Sequence, residues 1–200
     1  TITEYSTIAS ENEAIFKDRG SKFIARAFAV ESFDEAKAFL LKAREENHQA
    51  RHFCYGYISP PPDNEVRFSD DGEPAHTAGT PIIHAIQSSD LQGVFVVVIR
   101  YFGGTKLGRT GLINAYKSAA ILALQDVGRT TIIPTSILKL EFPYSRMQEI
   151  QTHLNRTGIK PIEVEMMTKV KMKLKVELCE IRNWEDYLQT MPEVIFEVYN

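Results

Sequence analysis

Val94-Phe95-Val96-Val97-Val98-Ile99-Arg100-Tyr101-Phe102-Gly103-Gly104-Thr105-Lys106-Leu107-Gly108-Arg109-Thr110-Gly111 passes from a nearly unbroken β-branched run into a turn rich in glycine. A run with no polar position on either side reads as a strand buried on both faces, over Val94–Ile99. The turn, Gly103–Gly111, opens a helix predicted from Leu112 to about Asp126. Ile113, Tyr116, Ala120 and Leu124 lie near one stripe of that helix, and Gly128 is placed to stop it.

Upstream, Ser32 and Glu35 have the spacing of a capping box. They open a helix over Ser32–Glu46 whose Phe33, Ala36, Phe39, Leu40 and Ala43 share a face. Lys22–Val30 before it and His52–Ile58 after it read as strands. Asn64–Thr80 reads as a polar loop, and Pro81 suits the first turn of a short helix ending near Gln87. Downstream, Val127–Thr135 reads as a linker punctuated by Gly128 and Pro134. Beyond it come a strand over Ile137–Phe142 and a helix over Tyr144–Arg156 closed by Gly158. A hairpin of Lys160–Met166 with Lys169–Leu178, a helix over Asn183–Met191 and a strand over Val194–Tyr199 complete the chain. That order, β-α-β-β-α-β, is the ferredoxin-like arrangement. The expectation is an α+β chain of two domains, 1–131 and 132–200.

The 200 residues are 44% hydrophobic and 24% charged, which excludes wholesale disorder. No apolar run approaches the ~18 residues of a membrane helix, so no membrane partner is expected. Thr1–Glu13 lacks the basic and apolar regions of a secretion signal. With two cysteines, Cys54 and Cys179, the chain fits a reducing cytoplasm, and both read as small buried hydrophobes. The net charge of −3 is spread evenly: 14 basic against 16 acidic residues before residue 132, and 9 against 10 after it. Neither domain is a basic module, so any nucleic-acid contact must come from a local cluster.

Two such clusters stand out. In the glycine-rich turn, Arg100, Lys106 and Arg109 would bring charge and donors to a helix start. Gly103, Gly104, Gly108 and Gly111 would let the backbone approach a phosphate. The P-loop and GxGxxG templates do not fit, since Lys106 precedes Gly108. The GxxG of Gly108–Gly111 matches the KH spacing, but after a strand. The second cluster is Lys169, Lys171, Lys173 and Lys175, which alternate with apolar residues and therefore share a sheet face. A three-residue turn at Met166–Thr168 would set Glu165 opposite Lys169 and Glu163 opposite Lys171, neutralising half of that stripe.

Asp70, Asp71 and Glu73, with His76 nearby, form an acidic loop. Such carboxylates hold a hard cation, act as a general base, or cap the following helix. His48 and His52 have i, i+4 spacing but fall where the chain leaves a helix for a strand, and with His76 and Cys54 they form no Cys-x-x-Cys or His-Glu-x-x-His pattern, so no metal or cofactor is expected. No Gly-x-Ser-x-Gly elbow occurs, and Cys54 falls in mid-strand without a base, so no catalytic residue is assigned.

The motifs Asp70-Asp71-Gly72-Glu73-Pro74, Thr77-Ala78-Gly79-Thr80-Pro81 and Arg100 through Gly108 together resemble the signature of the YigZ/Impact family. The spacing from Gly79 through Ile82-Ile83 to Arg100 and the pair His48 and His52 match it too. These features cover most of residues 17–125. Ala75-His76 and Arg109-Thr110 depart from the smaller residues of many relatives. The resemblance implies an N-terminal ribosomal-protein-like α/β sandwich and a C-terminal domain similar to those of elongation factor G. It also implies a link to translation: a non-catalytic regulator contacting RNA, the ribosome or a ribosome-associated protein. Two alternatives stay open: an enzyme or sensor of a small phosphorylated ligand, with Mg²⁺ on the acidic loop, and a protein-interaction module.

Overall fold

The computed structural model describes residues 4–125 and 127–199. One unit covers Tyr5–Ile132. In it follow β1 (Tyr5–Ile8), β2 (Asn12–Asp18), β3 (Ser21–Ala29), α1 (Phe33–Glu46), β4 (His52–Ile58), β5 (Val66–Ser69), α2 (Gly79–Ser88), β6 (Val94–Tyr101), α3 (Gly108–Leu124) and β7 (Arg129–Ile132). The β-branched run is the middle strand of a five-stranded sheet ordered β2-β3-β6-β4-β5, antiparallel to both neighbours. Val94, Val96 and Val98 pack with Ala25, Ile82, Ala115 and Tyr116, on the face covered by α2 and α3. Phe95, Val97 and Ile99 pack with Ala36 and Ala43 of α1 on the other. Burial on both faces is therefore what the run encodes, and strand direction is not.

Local signals account for α1. Ser32 Oγ accepts from Glu35 N at 3.3 Å, while the Glu35 carboxylate accepts from Glu31 N at 2.8 Å. The capping box thus closes one residue further out than its usual form. Where partners are distant in sequence, the expectations miss. Val127–Thr135 is no linker, because β7 pairs antiparallel with β1, from Ile8↔Arg129 to Tyr5↔Ile132. Every residue of β7 is exposed, so no alternation marks it as a strand. The polar loop contains β5, paired with β4. Helix α2 starts two residues before Pro81, and α3 starts at Gly108 rather than Leu112. The far end read for α3, Asp126, lies outside the described residues.

A second unit begins at Ile133. Its elements are β8 (Thr135–Phe142), α4 (Met147–Thr157), β9 (Pro161–Met166), β10 (Val170–Glu177), α5 (Ile181–Gln189) and β11 (Ile195–Tyr199). The sheet order β11-β8-β10-β9, antiparallel throughout, is the ferredoxin-like one. Leu138, Leu140, Phe142, Val170, Met172 and Leu174 alternate onto the helix side, against Ile150, Leu154 and Trp184. No helix among the described residues is long and apolar enough to cross a membrane.

His153 of α4 stacks on Tyr187 at 3.7 Å between centroids and meets the edge of Trp184 at 4.5 Å. Arg156 donates to its Nδ1 at 3.0 Å. Burial, with the Arg156 charge adding to it, holds His153 below the ordinary histidine value of 6.5. Acid then protonates the unfolded chain before the folded one, so stability falls as pH drops below 6.5 and levels off below the folded value. Denaturant midpoints measured from neutral pH down to about pH 5 should show this slope, flattened in His153→Phe. An identical slope in the variant would remove His153 as its source.

Candidate functional site

Strand β6 carries Arg100 to the end of the sheet, in register between Phe23 on β3 and His52 on β4. Its Nη1 donates to Glu73 Oε1 at 2.6 Å, and the two side chains are only 7% and 4% exposed. Tyr116 Oη donates to the same carboxylate oxygen at 2.8 Å. Cys54 Sγ lies 3.4 Å from Tyr116 Oη. Burial pushes the Cys54 thiol and the Tyr116 phenol well up, so both stay protonated and Tyr116 remains a donor to Glu73. The guanidinium also sits 5.5 Å from the Phe23 ring centroid. Its Nη2 reaches Ser21 Oγ at 3.5 Å. Nε, fully buried, has no hydrogen-bond partner among the described residues.

The acidic loop is held together by the same logic of satisfied charge. Asp70 Oδ1 accepts from Ala78 N at 3.0 Å and Gly79 N at 2.9 Å, and Oδ2 accepts from His76 N at 2.8 Å. Asp70 is thus the cap of α2, supplied from outside the helix's own sequence neighbourhood. Asp71 Oδ2 accepts from Phe53 N at 2.7 Å, while Oδ1 lies 3.1 Å from Arg44 Nη2. Glu73 faces Arg100. Three neighbouring carboxylates therefore turn to three different partners instead of converging. No group of three or more metal-ligating side chains is found among the described residues. His76 donates its backbone N–H to Asp70 and sets its ring Nδ1 3.1 Å from Thr80 Oγ1. Cys54 is fully buried, whereas Cys179 is not; the reading of both as buried hydrophobes holds for Cys54 alone.

Within the glycine-rich turn, the glycines divide by role. A Cβ on Gly103 would stand 1.9 Å from the carbonyl carbon of Gly20, so its bareness serves contact with the β2–β3 turn, not access to a phosphate. Gly103 N also donates to Ser21 Oγ at 3.1 Å. Gly108 has φ +70° with nothing within 4 Å of a Cβ, so there the left-handed backbone is what requires glycine. Gly104 is similarly open, and Gly111 lies inside the first turn of α3. Leu107, the N-cap of α3, supplies no side-chain hydrogen bond, which leaves the first-turn amides without a side-chain cap.

Arg100, Lys106, Gly108, Arg109 and Glu73 line one groove of 310 Å³. Arg109 Nη2 donates to Ala75 O at 3.0 Å, tying α3 to the acidic loop. The two motifs that the sequence separates by some two dozen residues thus share one site. Glu73 is balanced by Arg100, and among the described residues neither Lys106 nor Arg109 has a carboxylate partner. The groove carries an excess of positive charge.

The lysine stripe belongs to the second unit and is largely paired. The hairpin loop is Met167–Lys169, so Lys171 faces Glu165 and Lys173 faces Glu163, two residues on from the expected register. Lys169 falls outside β10 and bonds Glu141 at 2.9 Å. Lys171 also approaches Glu141, and Lys173 pairs with Glu163. These lysines hold the Glu141 and Glu163 carboxyls below the usual carboxylate range. Lys175 makes no ion pair among the described residues. What the sequence reading missed is the inner layer of Ser21 and the Tyr116 hydroxyl, and outside it the exposed Phe102. A tyrosine in a buried helix stripe is the one available signal, because its hydroxyl needs a partner.

A charged groove at the edge of an α/β sandwich, followed by a ferredoxin-like unit, defines a two-domain α+β protein. The Impact N-terminal domain model matches residues 19–124. The IMPACT family member of Haemophilus influenzae is 33% identical over 154 residues, 75% of this chain and 74% of that protein. The IMPACT family member YigZ of Escherichia coli is 31% identical over 163 residues, 80% of each. A crystal structure of a hypothetical protein covers 100% of this chain, and 98% of its own, with TM-score 0.75 and 25% identity. The chain belongs to the IMPACT family.

Replacing Glu73 with Gln keeps the shape but leaves the Arg100 charge buried without a counter-charge, at an expected cost of about 3–5 kcal/mol. Tyr116→Phe should cost less, about 1–3 kcal/mol. Urea denaturation compares the two; a Glu73→Gln protein as stable as wild type would show that the pair anchors nothing.

Proposed function

We propose that this protein is a non-catalytic regulator of translation or of a stress response that contacts RNA phosphates, free or in the ribosome, through the groove at its glycine-rich turn. The observation that carries this reading is the pairing of Lys106 and Arg109, both without carboxylate partners among the described residues, with the start of α3, whose amides have no side-chain cap. Helix amides and cations together favour an anion. The resemblance to the Impact family supplies the link to translation, and a ribosome-associated protein is the further partner it suggests.

The alternative, a sensor or enzyme with Mg²⁺ on the acidic loop, needs carboxylates free to take a cation in the shared groove. Asp70, Asp71 and Glu73 are instead engaged by backbone amides, Arg44 and Arg100. That arrangement supports donors reaching for phosphate over carboxylates reaching for a cation. Lys169, Lys171 and Lys173, paired with glutamates, contribute little to such binding, since matched charges release few counterions.

Binding of an unstructured RNA, and of ribosomes, should weaken steeply as salt rises. In the Lys106→Ala, Arg109→Ala double variant the affinity should drop and the log–log salt slope should become shallower by roughly 1.4, for two phosphate contacts on a single strand. Filter binding across a salt series reads both. No binding by the wild type at low salt, or identical curves for the variant, would remove the basis of the reading.

A further inference from the structure

Phe102 follows the buried strand β6, yet its side chain is 59% exposed. It stands between two grooves. One is the groove of Lys106 and Arg109 already described. The other, of 350 Å³, is lined by Gln49, Arg51, His52, Arg100, Tyr101 and Phe102, with no carboxylate among them. Arg51 has no ion pair among the described residues. Arg100 lines both grooves, 94% buried by its 6% exposure, and its Nε has no partner among the described residues. Its guanidinium lies over the Phe102 ring, 5.6 Å from the centroid, and Phe102 still keeps more than half of its surface exposed.

An exposed ring that lines two cationic grooves matches one ligand chemistry: an aromatic base on the ring, and backbone phosphates in the grooves beside it. In a duplex both faces of each base are covered by its neighbours, so only an unpaired base can lie on Phe102. His52 adds a further selection. Its Nδ1 lies 2.9 Å from the Asp71 carbonyl oxygen, which can only accept, so Nδ1 carries the proton. In the tautomer that this contact selects, Nε2 is an acceptor, in a groove that also holds the donors of Arg51. A ribose 2′-hydroxyl can donate to it, and deoxyribose cannot.

We infer that the site takes an unpaired RNA segment, with one base stacked on Phe102 and the adjoining nucleotides in the Arg51–His52 and Lys106–Arg109 grooves. This rests on the phosphate-contact reading above and adds the strand state and sugar of the ligand. It assigns roles to Phe102, Arg51 and His52 that the charge pattern of the glycine-rich turn does not.

Fluorescence anisotropy at low salt, with one labelled sequence presented as single-stranded RNA, single-stranded DNA and duplex RNA, tests it. Phe102→Ala should weaken single-stranded RNA binding about 5- to 100-fold and leave duplex binding nearly unchanged. Phe102→Tyr should restore it, and the wild type should prefer the RNA strand to the DNA strand. An unchanged Phe102→Ala affinity, or duplex binding as tight as single-strand binding, overturns the stacking assignment. Equal affinity for RNA and DNA overturns the role of the ribose. If either happens while Lys106→Ala with Arg109→Ala still weakens binding, the phosphate reading stands alone. If the wild type binds none of the three, both readings fall.

Discussion

A guanidinium buried at the end of the central strand is the constraint around which the first domain is arranged. Arg100 is brought inward by the alternation of β6, on the face where Val96 and Val98 meet α3. Left uncompensated there, its charge would cost several kcal/mol. Glu73 supplies the counter-charge, Tyr116 fixes the carboxylate, and Ser21 serves both Arg100 and the glycine-rich turn. Meeting that requirement draws the acidic loop, β3, β6 and α3 to one point. The proposed binding surface follows from it, since Lys106 and Arg109 belong to the segment that runs into α3 and lines the same groove as the pair.

The same logic explains why an acidic loop that in sequence could hold a cation, act as a base or cap a helix engages backbone amides and arginines in three dimensions. Asp70 caps a helix that begins at Gly79, and Asp71 holds the first residues of β4 and Arg44 of α1. Each carboxylate answers a need created elsewhere in the chain. A cluster of acids within four residues carries no information about where its side chains turn, because a loop with positive φ at Asp71 and Gly72 redirects successive residues.

Local signals were legible where the physics is local. The β-branched run, the Ser32 cap and the alternation of Leu138, Leu140 and Phe142 each predict their element. The βαββαβ order predicts the ferredoxin-like unit because its alternating strands, its helices and its β9–β10 hairpin each carry a local signal. The pairing of β1 with β7 was not legible, because both strands are short, β7 is wholly exposed, and the partners lie at opposite ends of the domain. The start of α3 was misplaced because glycine is a poor helix former, and Gly108 opens the helix for its left-handed φ. The charged residues of the candidate site were visible in sequence; Ser21, Tyr116 and Phe102, which fix and shape it, were not. Their roles depend on distance in space alone.

Charge balance in the second unit sharpens where function should reside. Lys171 lies opposite glutamates on both neighbouring strands and Lys173 opposite Glu163 on one, so the most conspicuous basic repeat in the sequence is the less available one. We rank the two unpaired cations of the glycine-rich turn above the three paired lysines, Lys169, Lys171 and Lys173. A ¹H–¹⁵N correlation titration of the full chain with a short unpaired RNA tests that claim directly. The account predicts that the shifting amides cluster at Phe102–Gly111 and around Arg51 and His52. Shifts confined to Lys171–Lys175, with the glycine-rich turn unmoved as the RNA saturates, would contradict it.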